Sequence, residues 1–162
     1  LQEWTNDLKS PDEKTRMWAA VMLGELGPPA KPALPALVAA LNDPNRLVRD
    51  RAVWALVFID PTGKEVLIHL YPPLKDMDAG VRTTTVKAIG RLGPSAEPAI
   101  PELERLLQDP APSVRIASAQ ALVEIGPAAE KSRGYLLDVS HNDRDPAVRQ
   151  AASEAAKSLL KD

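Results

Sequence analysis

Cysteine is absent from these 162 residues, and only one Phe, two Tyr and three Trp are present. Without a thiol there is no disulfide framework, no thiolate metal site and no cysteine nucleophile, and the redox compartment stays open. Aromatic residues make up 4% against 44% apolar residues. The core therefore has to be built from Ala, Leu, Val and Ile, in Ala- and Leu-rich windows of high helix propensity. No run approaches the roughly 20 consecutive apolar residues that span a bilayer, so membrane insertion is not expected. No basic-then-apolar leader and no Asn-x-Ser/Thr acceptor occurs. The chain opens Leu1-Gln2-Glu3 without an initiator Met and reads as part of a larger protein, soluble, with the cytoplasm favoured. An excess of one charge is also missing: 20 Lys and Arg face 22 Asp and Glu, giving −2 with both signs interspersed. That is no footprint for a phosphate backbone, and nucleic acid is not expected as a partner.

Catalytic constellations are equally scarce. His69 and His141 are the two histidines; neither has a second His at helical spacing, and no His-Glu dipeptide occurs. The run His141-Asn142-Asp143-Arg144-Asp145 is rich in oxygen ligands but lacks the Gly and distal Glu of a calcium loop. Gly63-Lys64 lacks the upstream glycine of a phosphate loop, and there is no Gly-x-Ser-x-Gly elbow. The expectation is a protein without enzymatic activity, metal or cofactor.

What the chain has is a period. Arg16, Arg49, Arg82 and Arg115 stand 33 residues apart, and Arg149 follows after 34. Such self-similarity marks a stack of repeated supersecondary units. Counted from each arginine, the third residue on is Ala19, Ala52, Thr85, Ser118 or Ala152, and the sixth is Met22, Ala55, Ala88, Ala121 or Ala155. The seventh is Leu23, Leu56, Ile89, Leu122 or Ala156, and the tenth Leu26, Ile59, Leu92, Ile125 or Leu159. At about 100° per residue these lie on one helical face, small residues admitting a neighbour and large ones filling the layer.

Punctuation repeats as well. Gly27, Asp60, Gly93 and Gly126 each precede a Pro, the signature of a helix C-terminus. A shorter apolar pattern follows around Leu37, Leu70, Leu103 and Leu136; Trp4 holds the same position in the first unit and is expected in the core. Pro35 and Pro101 fit a first helical turn, and Asp43, Asp76, Asp109 and the Asp143/Asp145 pair are expected to cap the next helix. Each unit thus reads short helix, turn, longer helix, Gly-Pro break. Pro72 and Pro73 interrupt the first helix of unit three near Tyr71.

The pattern Asp-Pro-x-x-x-Val-Arg-x-x-Ala-x-x-Ala-Leu-x-x-Ile-Gly-Pro resembles the HEAT repeat, in particular the bacterial HEAT-like subclass also found in phycobilin lyases. The resemblance implies an all-α, right-handed α-solenoid (α-α superhelix) of five HEAT-like helical hairpins. It covers one repeat domain, 1–162, with units of about 1–27, 28–60, 61–93, 94–126 and 127–162. It also implies that Asp43, Arg49, Asp76, Arg82, Asp109, Arg115, Asp143 and Arg149 form a structural ladder between repeats. Each Arg is expected beside the Asp six residues earlier; at Arg16 that position is Ser10 and the carboxylate is missing. Deoxyhypusine hydroxylase shares the scaffold but relies on His-Glu pairs that this chain lacks, and the acidic balance speaks against a DNA glycosylase of the same fold.

In resembling proteins the second helices line the concave side, which makes their outer positions the candidate binding face. Met17, Val21, Trp54, Val57, Phe58, Lys87, Arg91, Gln120 and Glu124 fall there. Trp54 and Phe58, one turn apart, stand out, because aromatic clusters are enriched at binding hot spots; packing between repeats is the competing reading of these rings. The expected function is a monomeric, non-catalytic interaction scaffold for a protein or peptide. The alternatives are a tetrapyrrole-handling protein of the phycobilin-lyase type and a structural spacer in a multidomain chain.

Overall fold

A computed structural model describes residues 1–160; Lys161 and Asp162, the end of the expected fifth unit, lie outside the described residues. The described residues contain ten α-helices and no strand. They are α1 (Gln2–Asp7), α2 (Glu13–Leu26), α3 (Leu34–Ala40), α4 (Arg46–Ile59), α5 (Leu67–Leu70), α6 (Ala79–Arg91), α7 (Ile100–Leu106), α8 (Pro112–Ile125), α9 (Arg133–Asn142) and α10 (Pro146–Ser158). Odd-numbered helices are the short first members of the hairpins and even-numbered helices the long second members, in the order the period dictates.

The chain forms two compact units, Leu1–Ala88 and a second beginning at Ile89. In the first, α1 packs on α2, α3 on α4, and α2 lies along α4. In the second, α7 packs on α8, α9 on α10, and α8 lies along α10. The layers between are those the arginine grid marks: Ala52, Thr85, Ser118, Ala152, Leu23, Leu56, Ile89 and Leu122 are all buried. Thr85 and Ser118 replace Ala in this layer without leaving a stranded hydroxyl, since each donates to the carbonyl four residues back, Val81 at 2.7 Å and Val114 at 2.9 Å. Trp4 is half-buried, not in the core as expected, whereas its counterparts Leu37, Leu70, Leu103 and Leu136 are fully covered.

Helix ends follow local chemistry. Gly27, Gly93 and Gly126 adopt φ of 65°, 58° and 89°, where a side chain would be strained. The prolines behind them open short 3-10 segments (28–33, 93–99 and 127–132) that lead into α3, α7 and α9. Unit three breaks the rule. Asp60, in place of the glycine, keeps negative φ, and the positive-φ position moves to Gly63. The Asp60 side chain is buried and accepts hydrogen bonds from the Thr62 hydroxyl and, at 2.7 Å, from the Glu65 amide. The prolines then end α5 after four residues, and 72–75 continues as a 3-10 turn.

Candidate partner-binding site

The arginine ladder is built differently from its sequence-based expectation. Arg16, Arg49 and Arg115 each reach the carboxylate of the following hairpin. Arg16 donates Nε and Nη2 to Asp43 at 2.6 and 2.9 Å, Arg49 to Asp76 at 2.7 and 2.8 Å, and Arg115 to Asp143 at 2.7 and 2.8 Å. Arg16 therefore does have its carboxylate. The residue six positions before each Arg supplies a backbone carbonyl to Nη1 instead: Ser10, Asp43, Asp76, Asp109 and Asp143, at 2.7–2.9 Å.

Nor do these aspartates cap the next helix, except in the Asp143/Asp145 pair. Asp12, Asn45, Asp78 and Asp145, two residues further on, accept the first-turn amides. Burial alone would raise the carboxyls of Asp43, Asp76 and Asp143. The guanidinium hydrogen bonds and a backbone amide to each outweigh it and hold all three below the ordinary value of 3.8. With their donors committed to these rungs, Arg16, Arg49 and Arg115 are not a stripe for binding anions.

In the first unit the outer faces of α2 and α4 carry the aromatic residues. The rings of Trp54 and Phe58 stack with centroids 5.6 Å apart and planes inclined by 18°. Phe58 is 40% exposed and Trp54 half-buried. The Phe58 ring lies over Gly24, whose missing Cβ would sit 3.5 Å from it and 3.1 Å from the Cα of Ala55. Glycine there lets α4 approach α2 and leaves a bed for the ring. Met17 and Val21 are half-buried on α2.

Val57 does not belong to this face: it is 1% exposed. It occupies the position of Gly24, eight residues after the arginine, which points into the contact between successive long helices. Asp50, also on the outer side, is engaged by the Thr84 hydroxyl. Trp18, which the sequence places near the edge of this face, is 59% exposed on α2.

The second unit has different chemistry on the equivalent face. Gln120, Val123 and Glu124 of α8 and Ala151, Glu154, Ala155 and Ser158 of α10 line an open groove of about 480 Å³. Glu124 lies over Gly90 as Phe58 lies over Gly24: a Cβ on Gly90 would stand 3.0 Å from the Ala121 Cα and collide with the Glu124 carboxylate. Desolvation there raises the Glu124 carboxyl above its ordinary 4.5, against the weaker opposing pull of Arg91. Arg91, a candidate for the binding face, thus acts electrostatically on an acid of its own chain. Lys87, one turn earlier on α6, is exposed.

The histidines are dispersed. His69 is exposed at the end of the short α5. The His141 Nδ1 lies 2.6 Å from the Leu137 carbonyl on α9. Among the described residues no group of three or more His, Asp or Glu is placed to hold a metal ion, and no helix is long and apolar enough to cross a membrane.

The HEAT repeats family matches residues 1–72 and 65–157. No match was found among functionally curated proteins. Among solved structures, the chain is similar to the complex of CpcE and CpcF of phycocyanin lyase from Nostoc sp. PCC7120, with 23% identity and a TM-score of 0.75. That likeness covers 99% of this chain but 65% of the matched one. A designed armadillo repeat protein in complex with the peptide (KR)4 gives 19% identity and a TM-score of 0.74, over 98% of this chain and 81% of the other. An engineered protein gives 22% identity and a TM-score of 0.66, over 96% and 77%. These likenesses establish the α-solenoid fold, and with the match along nearly the whole sequence the chain belongs to the HEAT-repeat family.

Proposed function

We propose that this chain is a non-catalytic binding module that takes a protein or peptide on the outer faces of its long helices, anchored at Trp54 and Phe58. The observation that carries this reading is the stacked pair itself. A core position buries its ring, whereas Phe58 keeps 40% of its surface exposed on a bed provided by Gly24. Two rings held rigid by stacking lose little side-chain freedom on binding, which suits them as an anchor. Helical solenoids bury their core through neighbour contacts and leave such faces free for partners.

The second unit favours a cationic side chain, because Glu124 and Glu154 line its groove over a floor of Ala151 and Ala155. The peptide (KR)4 bound by the designed armadillo protein is of that chemical kind. A fluorescein-labelled (KR)4 peptide and a variant carrying two leucines are suitable first probes, followed by fluorescence anisotropy. The Trp54→Ala/Phe58→Ala double variant is expected to weaken capture of the leucine-bearing probe at least tenfold while its helical circular dichroism stays unchanged. Equal affinity of the double variant and the parent chain overturns the reading.

A further inference from the structure

Pro72 and Pro73 end α5 after four residues, where α3 and α7 run to seven. The lost turn leaves an open notch of about 520 Å³ between α3 and the 72–75 turn. Val38, Leu41, Ile68, Pro72, Pro73 and Met77 give it apolar walls. Leu41 is less fully covered than Leu74 and Leu107, which hold the same position in the next two hairpins. Two of the wall residues reach into solvent: Ile68 is 66% and Met77 92% exposed. Met77 stands where hairpins one, two and four carry Pro11, Pro44 and Pro110, so the turn itself does not call for it. Single exposed apolar residues are ordinary, but two on one hollow form a patch of the kind that marks interaction sites. A second hollow of about 540 Å³, lined by Pro44, Arg46 and Leu47 among others, shares Met77 as a wall. We propose that this notch is a second docking site, for a short linear segment of a partner protein in which an aliphatic side chain lies a few residues from a carboxylate.

Charge decides what the notch receives. Asp43 and Asp76 line it, but Arg16 and Arg49 hold both oxygens of each carboxylate. Arg49 gives its remaining nitrogen, Nη1, to the Asp43 carbonyl. Lys75 has no hydrogen-bond or ion-pair partner among the described residues, and neither do the side chains of Asn42 and His69. The uncommitted charge is thus positive, accompanied by two groups able to hydrogen-bond a peptide backbone. The aliphatic side chain of the partner enters against Val38, Leu41 and Ile68, and its carboxylate meets Lys75. Met77, unbranched and polarizable, adapts to the chain lying across it. An open hollow does not enclose a small ligand, which needs most of its surface covered, whereas a chain crossing both hollows gains contact along its length. A bilayer fits less well: a concave wall does not insert, and attraction to anionic lipid takes a cluster of basic residues. The notch uses none of the aromatic residues of the first site, so the two readings stand or fall separately.

The test uses the whole chain and a set of fluorescein-labelled octapeptides, each with one Leu and one Glu at varied spacing in a Gly/Ser background, followed by fluorescence anisotropy. Replacing the Leu by Ser or the Glu by Gln is expected to weaken the best peptide roughly tenfold. The Ile68→Ser/Met77→Ser variant alters only exposed side chains and is expected to lose as much, with its circular dichroism unchanged. Lys75→Glu loses the Glu peptides and gains those with Lys in that place, an exchange that a merely sticky surface does not give. Trp54→Ala/Phe58→Ala binds the set as the parent chain does. Failure of every peptide to bind, equal binding by the Ile68→Ser/Met77→Ser variant, or loss of binding in the Trp54→Ala/Phe58→Ala variant overturns the proposal. So does cosedimentation with phosphatidylserine vesicles that Ile68→Ser/Met77→Ser abolishes, since the occupant is then a membrane surface.

Discussion

Arg115 and Arg149 are the same side chain at the same place in successive hairpins, but among the described residues Arg115 binds the Asp143 carboxylate whereas Arg149 donates to the Asp143 carbonyl. Arg115 is 4% exposed and bound to both oxygens of Asp143. Removing one member of such a buried pair strands the other, which costs about 3 kcal/mol. Arg115→Gln is expected to lose that much in urea denaturation, and Arg149→Gln about 0.5 kcal/mol at most, as for a surface substitution. The carboxyls of the rungs bring a pH dependence of definite sign. Asp43, Asp76 and Asp143 have folded values depressed below 3.8, so their stabilisation is complete above that value and is lost as the pH falls through the depressed values. Glu124, raised above 4.5, acts the other way and favours the fold on acidification. Asp12 and Asp60 are depressed as well, and because five carboxyls oppose one, thermal midpoints are expected to fall on acidification below pH 3.8. Glycines divide in the same local way. Gly90→Ala drives a methyl into the Ala121 backbone and is expected to cost about 2 kcal/mol, the range of overpacking. Gly134→Ala meets nothing within 4 Å inside α9 and is expected to stabilise by about 0.5 kcal/mol in the same urea series.

At the level of helices and turns, periodicity made the long helices legible, because α2, α4, α8 and α10 each bury the face that the arginine count marks. The caps were read two residues early. Both Asp43 and Asn45 are residue types that cap helices, and sequence alone does not reveal that the preceding hairpin's arginine claims the first of them. The break at Pro72 and Pro73 was legible because proline's missing donor is a local property. How the chain tolerates Asp60 in place of glycine was not: the compensation draws on Thr62 and Glu65 and a turn displaced to Gly63. Asp60→Ala removes the acceptor for both groups and is expected to cost about 1–2 kcal/mol, measured by urea denaturation, while Asp60→Asn retains most of the stability.

For the molecule as a whole, the HEAT-repeat fold was readable from the sequence because each hairpin restates the same layer of small and large residues. The site was readable only in part. Trp54 and Phe58 stood out as outliers in type, but Val57 was misplaced, since the contact between long helices buries the position it holds. A tetrapyrrole-handling role predicts a change in the absorbance of heme or a bilin at micromolar protein; a pure interaction module leaves both spectra unchanged. The ladder has one more consequence. Arg16 meets Asp43 through the same atoms with which Arg49 meets Asp76. The forks of Arg16 and Arg49 consequently fit equivalent turns, and loss or duplication of a 33-residue segment between equivalent points keeps this kind of rung at the junction. Arrays of this kind are free to change length by gene rearrangement without first inventing a new joint.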